Sequence, residues 1–546
     1  MSVHTHVPSS FDVRHSSMRT SRLLCPALVL VPALVLGLAG CTSSDAGGTG
    51  QIVLADAVEL GGYNPLDGYG TLGVSPLYEG LLRPSAADSS RVPDLVPALA
   101  SEPPRAVSPG VWRLPLREDV RFSDGSALDS ADVVATYRAL TDPAVASSVS
   151  AAIGPISEVA AEGPHAVTVH VTGEADPSPY LLLGIVPSEK VENRPAADWD
   201  IGRHPVGTGP YRLESLQPDQ AVFVAREDYW GSAPALKKVV YTYTPDDNAR
   251  AQRIVSGEVS GANLPPKLAN SLADRSGVTV VDADSADWRS VSLPSQNAFT
   301  ADVAARLAMN LAVDRRALVD DVLGGRGAPA ATPISAVYGE NYEPAAQFTV
   351  DVARAGTILD RAGWVRGPSG VRRRGGDKAE FTLLYPADDT LRRDLAVAFA
   401  AAVKRVGISV DPHGASWDET ESRLADDAVL LAGGEFLYRI DSQVYSALHT
   451  RTPGASPFSN PGDFGSPEMD RLLEQARASA PGPANEARYR EIQRLYREVP
   501  SSVFLAFVHH TYAVRDDGWR YDPPVLEPHA HGVVWGPWWN LPSWRR

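Results

Sequence analysis

Both cysteines of this 546-residue chain, Cys25 and Cys41, lie within its first 41 positions. Whatever the remainder folds into is therefore held by burial and hydrogen bonding, with no disulfide, thiol nucleophile or cysteine metal site to draw on. The surroundings of the two thiols set the first boundaries. Leu23 to Leu38 is apolar apart from Cys25, follows Arg19 and Arg22, and leads into Ala39-Gly40; that is the basic, apolar and small-residue order of a secretory leader. Pro26 and Pro32 interrupt the run, which falls short of the about 20 residues a membrane span needs. Residues 1–40 are expected as a leader, and 41–50, built of Ser, Gly, Thr, Asp and Ala after the cysteine, as a flexible tether that could not bury a thiol.

About 500 residues remain, more than one core supports, so two or three lobes are expected. A content of 44% hydrophobic and 21% charged residues is that of a globular chain, and a formal net charge of −16 repels nucleic acid and anionic lipid. Apolar and polar residues alternate at 111–117, 167–171, 221–225, 239–243, 381–385 and 503–507, which predicts half-buried strands. Helical spacing intervenes. Ser130 is placed to cap a helix carrying Val133, Val134 and Tyr137, and Thr300 one carrying Val303, Leu307 and Leu311 that runs on towards Gly324. Met469, Leu472, Leu473 and Ala476 form a further stripe behind Ser466-Pro467, and Ile492, Leu495, Tyr496 and Val499 another that Pro500 stops. Strands and helices mixed over the whole length make an α/β or α+β chain.

Catalytic signatures are missing: the sequence has no H-E-x-x-H, G-x-S-x-G or G-x-x-x-x-G-K-[ST]. The glycine cluster "VGTGPY" (206–211) has no lysine for a phosphate, and Pro210 removes a backbone donor, so it reads as a strand entry beside close-packed backbone. "DYWG" (228–231) suggests core packing. His509 and His510, adjacent on a strand, point to opposite faces, whereas His529 and His531 share a face if extended. Two imidazoles without a third ligand make a weak metal site, so no metal or other cofactor is expected. Asp246-Asp247 and Asp320-Asp321 read as solvated faces.

Leu38-Ala39-Gly40-Cys41 resembles the lipobox of bacterial lipoproteins. That resemblance implies a diacylglycerol on the sulfur of Cys41, two acyl chains giving a stable attachment where one is marginal. Downstream, "LYEGLLRP" (77–84), "VPDLVPALA" (92–100), "WRLPLREDVRFSDGSALDSADVVATYRAL" (112–140), "HPVGTGPYRLES" (204–215), "REDYWGSAPALKKVVY" (226–241) and "SGEVSG" (256–261) follow in this order. "ARLAMNLAVDRRALVDDVLGGRGAPA" (305–330), "FGSPEMDRLLEQARASA" (464–480) and "RYREIQRLYREVPSSVFLAF" (488–507) continue it. Together they resemble the family 5 solute-binding proteins of peptide and nickel ABC importers, from Gln51 to the C-terminus.

The resemblance implies an α/β, type II periplasmic-binding-protein fold of the large three-subdomain variety. Lobe I would span 51–290 with an inserted subdomain at about 78–202, lobe II 291–507, and 508–546 would return to lobe I. It further implies a monomeric receptor at the extracytoplasmic face of the membrane, closing about a hinge on a short peptide or other small solute and delivering it to permease subunits. In dipeptide-binding relatives an aspartate of a "D-x-D" segment holds the ligand ammonium. The matching stretch here is "GGEFLYRIDSQVYSALHT" (433–450), with Asp441 the best-matched acid and Gln443 in place of the second. Arg439, two residues before Asp441, would share its strand face and offer a donor to a carboxylate. Tyr438 beside it is a further candidate contact, and Tyr78, Trp288 and Trp417 are candidate walls near the lobe junctions. "SVSLPSQNAF" (290–299) departs from the relatives' Asn-Thr pair at that point. A nickel-chelate receptor, drawing on His529 and His531, is the alternative within the family. A secreted metallohydrolase or a surface sensor on the same fold are the remaining readings.

Overall fold

Each of the alternating runs is a strand, and two sheets collect most of them. The computed structural model describes residues 50–546 apart from 87, 151–153, 453–454 and 530. The leader, Cys41 and all but the last residue of the tether lie outside the described residues.

The larger sheet has seven strands in the order Val278–Ala283, His510–Arg515, Gly261–Leu264, Gln51–Asp56, Lys238–Tyr243, Gln220–Ala225, Tyr211–Leu216. Gln51–Asp56 runs parallel to both of its neighbours, with Leu54 opposite Tyr241 on one side and Gly261 on the other. The second sheet has six strands, in the order Gly327–Pro329, Ser502–Val508, Trp288–Ser292, Ala428–Gly433, Glu380–Pro386, Ser409–Ala415. Every residue of Ser502–Val508 is buried, so this strand is covered on both faces and is more apolar than alternation requires. A four-stranded antiparallel sheet, Arg105–Ser108, Val111–Pro115, Ala166–Val171 and Ile156–Ala161, lies between the first two strands of the large sheet in the chain and packs helix Ser130–Thr141.

The chain passes from the seven-stranded to the six-stranded sheet at 284–287 and returns at His509. The two passages touch: the Val508 amide donates to the Asp287 carbonyl at 2.9 Å, and the Ser285 hydroxyl to the Val508 carbonyl. The C-terminal tryptophans close over the seven-stranded sheet, where a Cβ on Gly261 would come within 2.1 Å of the Trp538 ring. "VGTGPY" starts strand Tyr211–Leu216, with Gly207 and Gly209 so close to the Leu77 backbone that any side chain would collide.

Three local readings change. Asp129, not Ser130, caps helix Ser130–Thr141: its carboxylate accepts from Ala131 while the Asp132 carboxylate accepts from the Asp129 amide, satisfying donors at both ends of a capping box. The helix expected from Thr300 to near Gly324 is two, Val303–Ala312 and Arg315–Val322, each capped by its own aspartate, Asp302 and Asp314. Buried Arg315 fixes the break by donating to the carbonyls of Asn310, Ala330 and Phe504. Tyr229 and Trp230 of "DYWG" are half-buried and do more than pack, each donating at 2.7 Å to the buried carboxylate of Glu79. Among the described residues no helix is long and apolar enough to cross a membrane.

Candidate functional site

Ligands of open α/β sheets gather at the carboxyl ends of parallel strands, and Gln51–Asp56 ends at such a place. Beyond it the chain turns through 57–74, where Asn64 caps a short turn at Pro65–Asp67 by accepting from Leu66, and Gly68, at φ 106°, supplies the left-handed exit. This loop walls a cavity of about 570 Å³ together with Phe223 and Tyr241 of the same sheet, Glu435 and Phe436 after the strand Ala428–Gly433, and the C-terminal stretch 528–535. A second cavity of about 430 Å³ is lined by Trp288, Phe504 and the serines at 290, 292, 442, 446, 456, 459 and 502, among others. Glu435 and Phe436 belong to both.

The first cavity is walled by edge-on rings. Centroids are 4.9 Å apart for Tyr241 and Phe223, 5.5 Å for Phe223 and Tyr63, and 5.2 Å for Tyr63 and Tyr69. Each such pair adds about 0.5–1.5 kcal/mol beyond area burial. Burial pushes the Tyr63 hydroxyl up to about 12 and those of Tyr69 and Tyr241 further, keeping all three neutral. The hydroxyls of Tyr69 and Tyr241 are buried without a hydrogen-bond partner. Asp56 accepts from the Ala57 amide at 2.7 Å and the Val533 amide at 2.9 Å, clamping the C-terminal stretch to the end of the central strand. Gly532 is required there, since a Cβ would sit 2.6 Å from the Asp56 carboxylate. Burial raises the Asp56 pKa, with these backbone bonds opposing it. Glu435 is exposed and, among the described residues, makes no hydrogen bond or ion pair.

Beneath the cavity, where the two inter-sheet passages meet, lies a buried charge cluster. Asp287 pairs with Arg289 and accepts from His529 at 3.0 Å. His510 donates to Glu527 at 2.8 Å and to Asp287 at 3.3 Å, and Glu527 also accepts from the Tyr512 hydroxyl and the Gly536 amide. Burial works against the His510 cation, but its bonds to the two carboxylates outweigh it and raise the pKa. Burial likewise opposes the Asp287 carboxylate, yet the charges of Arg289 and His529 hold it well below the usual range. His531 lines the cavity and stacks on His510 with centroids 3.4 Å apart; burial and the neighbouring His510 charge push its pKa well down. It is neutral, its Nδ1 donating to the His529 carbonyl.

The residues singled out from sequence fall in different places. Trp288 lines the second cavity against Phe504, with its indole N–H unpartnered. Tyr78 is buried behind Tyr69, and half-exposed Trp417 meets Phe458 of the second cavity edge to face. Tyr438 is buried with its hydroxyl unpartnered. Arg439 and Asp441 are not on a strand: Arg439 caps helix Ile440–Leu448 and Asp441 lies in its first turn. The Arg439 guanidinium stacks on Phe436 and on Tyr180, the latter from the segment after the four-stranded sheet. Asp441 is held in a two-pronged pair by Arg477 at 2.8–3.1 Å. His529 and His531 are separated in role by Asp287 and His510, and among the described residues no group of three or more His, Cys, Asp or Glu could hold a metal ion. Glu435, Asp56 and the ring wall were not picked out beforehand. The available signal for Glu435 was an acid straight after Gly433-Gly434 at the end of an apolar strand.

The family model for bacterial extracellular solute-binding proteins, family 5, matches residues 94–454. Protein XP55 of Streptomyces lividans is 37% identical over 471 residues, 85% of each chain. Two solved structures share the fold: NikZ from Campylobacter jejuni in complex with Ni(L-His), with a TM-score of 0.77 at 20% identity over 91% of this chain and 100% of that one, and the oligopeptide-binding protein AppA from Bacillus subtilis in complex with a nonapeptide, with 0.71 at 21% over 91% and 98%.

Proposed function

The chain belongs to family 5 of the bacterial extracellular solute-binding proteins, which bind and do not catalyse, and from that premise we propose that it is the lipid-anchored receptor of an ABC importer for short peptides. On this reading Cys41 carries the lipid, and the monomeric protein hands its solute to the permease at the extracytoplasmic face. Lobe I comprises 51–290, with the subdomain at about 78–202, lobe II 291–507, and 508–546 returns to lobe I.

One observation carries the proposal: the first cavity draws its walls from the seven-stranded sheet and from the segment after strand Ala428–Gly433 of the six-stranded one, it shares Glu435 and Phe436 with a second cavity on the six-stranded sheet, and the chain crosses between sheets at 284–287 and at His509. Two crossing strands side by side are a hinge, and a solute touching both walls selects the closed form. The Arg439–Tyr180 stack ties helix Ile440–Leu448 to the subdomain side and would favour closure. Glu435 is the acceptor for a peptide ammonium, because its carboxylate is unpaired, whereas that of Asp441 is engaged by Arg477. A nickel chelate is the second reading, favoured by the His531 ring in the lining. Native mass spectrometry of the mature chain, releasing whatever solute co-purifies, tests both. A peptide lost on Glu435→Gln supports the first; a nickel complex lost on His531→Ala supports the second.

A further inference from the structure

We infer that the solute is a net cation: an amine, or a peptide carrying more positive than negative charge, with its ammonium at the carboxylates and its apolar body on the ring wall. The inference rests on the receptor reading above and narrows its ligand class.

The charged side chains lining the two cavities are Asp56, Glu59 and Glu435, and among the described residues neither cavity is lined by a lysine or arginine. His531, the remaining titratable ring, donates its Nδ1 proton to the His529 carbonyl and stacks on the His510 cation, which disfavours a second charge. The guanidiniums of Arg289, Arg392 and Arg439 line neither cavity: Arg289 pairs with Asp287 and Arg392 with Asp389, each with its Nε left unpartnered, and Arg439 stacks on the rings of Phe436 and Tyr180. A solute carboxylate would therefore enter a space whose fixed charges are all negative. Neutral donors are present, in the serines of the second cavity and the Trp288 indole, but none brings a compensating charge.

The lining suits a cation in two independent ways. Glu435 offers both carboxylate oxygens unpaired, so a charge-assisted bond to an ammonium breaks nothing in the protein. Tyr63, Phe223 and Trp535 supply aromatic surface whose ring faces attract a cation electrostatically while the rings bury an apolar body.

The test compares ligands that differ by one carboxylate, by calorimetry on the mature chain after its co-purified solute has been stripped by unfolding and refolding. The pairs are phenylalanine with 2-phenylethylamine, and Ala-Phe with its C-terminal amide. The cation of each pair that binds is expected to do so at least about tenfold more tightly than the acid, the difference of one strong polar contact. Glu435→Gln, a substitution at an exposed and unpartnered side chain, should narrow the gap to within about threefold. Equal or tighter binding of the acids overturns the inference, as does failure of every cation in the panel to bind. A co-purified solute of net negative charge would also overturn it while leaving the receptor reading intact. Failure of the receptor reading looks different: no solute co-purifies and no ligand changes the shape of the protein.

Discussion

Removing the Asp287 charge should unbalance the junction between the sheets in a way that depends on pH. Asp287 and Glu527 face Arg289 and protonated His510, with His529 also against Asp287 at the edge of the cluster. Asp287→Asn keeps the shape and deletes one negative charge, leaving a buried excess of positive charge. Breaking a buried pair in this manner costs about 3–5 kcal/mol. The chain can relieve part of the cost by releasing the His510 proton, and the sign of the remaining pH dependence follows. In the wild type the His510 pKa is raised, so its stabilisation is complete below the unfolded value of about 6.5 and is lost as pH rises through the folded value. In the variant the folded pKa falls, the unfolded chain binds more protons below about pH 6.5, and the deficit grows as pH drops, by up to about 1.4 kcal/mol per unit. The depressed Asp287 pKa acts at the other end: its contribution is present above about pH 3.9 and is lost as pH falls through the folded value. Urea unfolding followed by tryptophan emission at pH 5, 6, 7 and 8 reads the deficit and its growth as pH drops. A deficit below about 1 kcal/mol at pH 7 that stays flat to pH 5 would refute the charge account of this cluster.

Cys41→Ala should move the protein from the membrane to the soluble or secreted fraction, or leave it unprocessed; a cleaved variant that still partitions into detergent would remove the anchor from the account. Small-angle scattering should give a smaller radius of gyration with bound solute, and an unchanged radius with demonstrated tight binding would argue against hinge closure. Asp441→Asn should cost no more than about 1 kcal/mol of stability, as for other pairs at the surface, and leave solute affinity within about threefold, since Arg477 occupies that carboxylate. A loss of binding there as large as that from Glu435→Gln would return the ammonium site to Asp441.

What could be read from the sequence was what repeats along it. Alternation located the strand at 167–171 because burial on one face has a period of two, and the stripe Met469, Leu472, Leu473, Ala476 located its helix for the analogous reason. Signals that depend on one residue were harder. Asp129 and Ser130 are both good caps, and only the position of Asp132 decides between them; the break before Arg315 depends on carbonyls supplied by Ala330 and Phe504, far along the chain. The site was the least legible part. Its walls come from 57–74, 435–436 and 528–535, segments that meet in space alone, and rings such as Tyr63 and Trp535 look like core until the cavity beside them is seen. His529 and His531 read as a pair by spacing, yet one turns to Asp287 and the other stacks on His510. Asp441 is the acid nearest the family pattern, and nothing in a linear reading shows that Arg477, 36 positions on, pairs with it.

The central claim is that the two cavities sharing Glu435 and Phe436 hold the transported solute. A crystal structure of the mature chain with the solute it carries from its native cell tests this most directly. The account predicts density continuous across both cavities, with an ammonium nitrogen about 2.7–2.9 Å from the Glu435 carboxylate and an apolar group against the Tyr63 and Trp535 rings. A solute lodged elsewhere, with Glu435 facing only water, would contradict it.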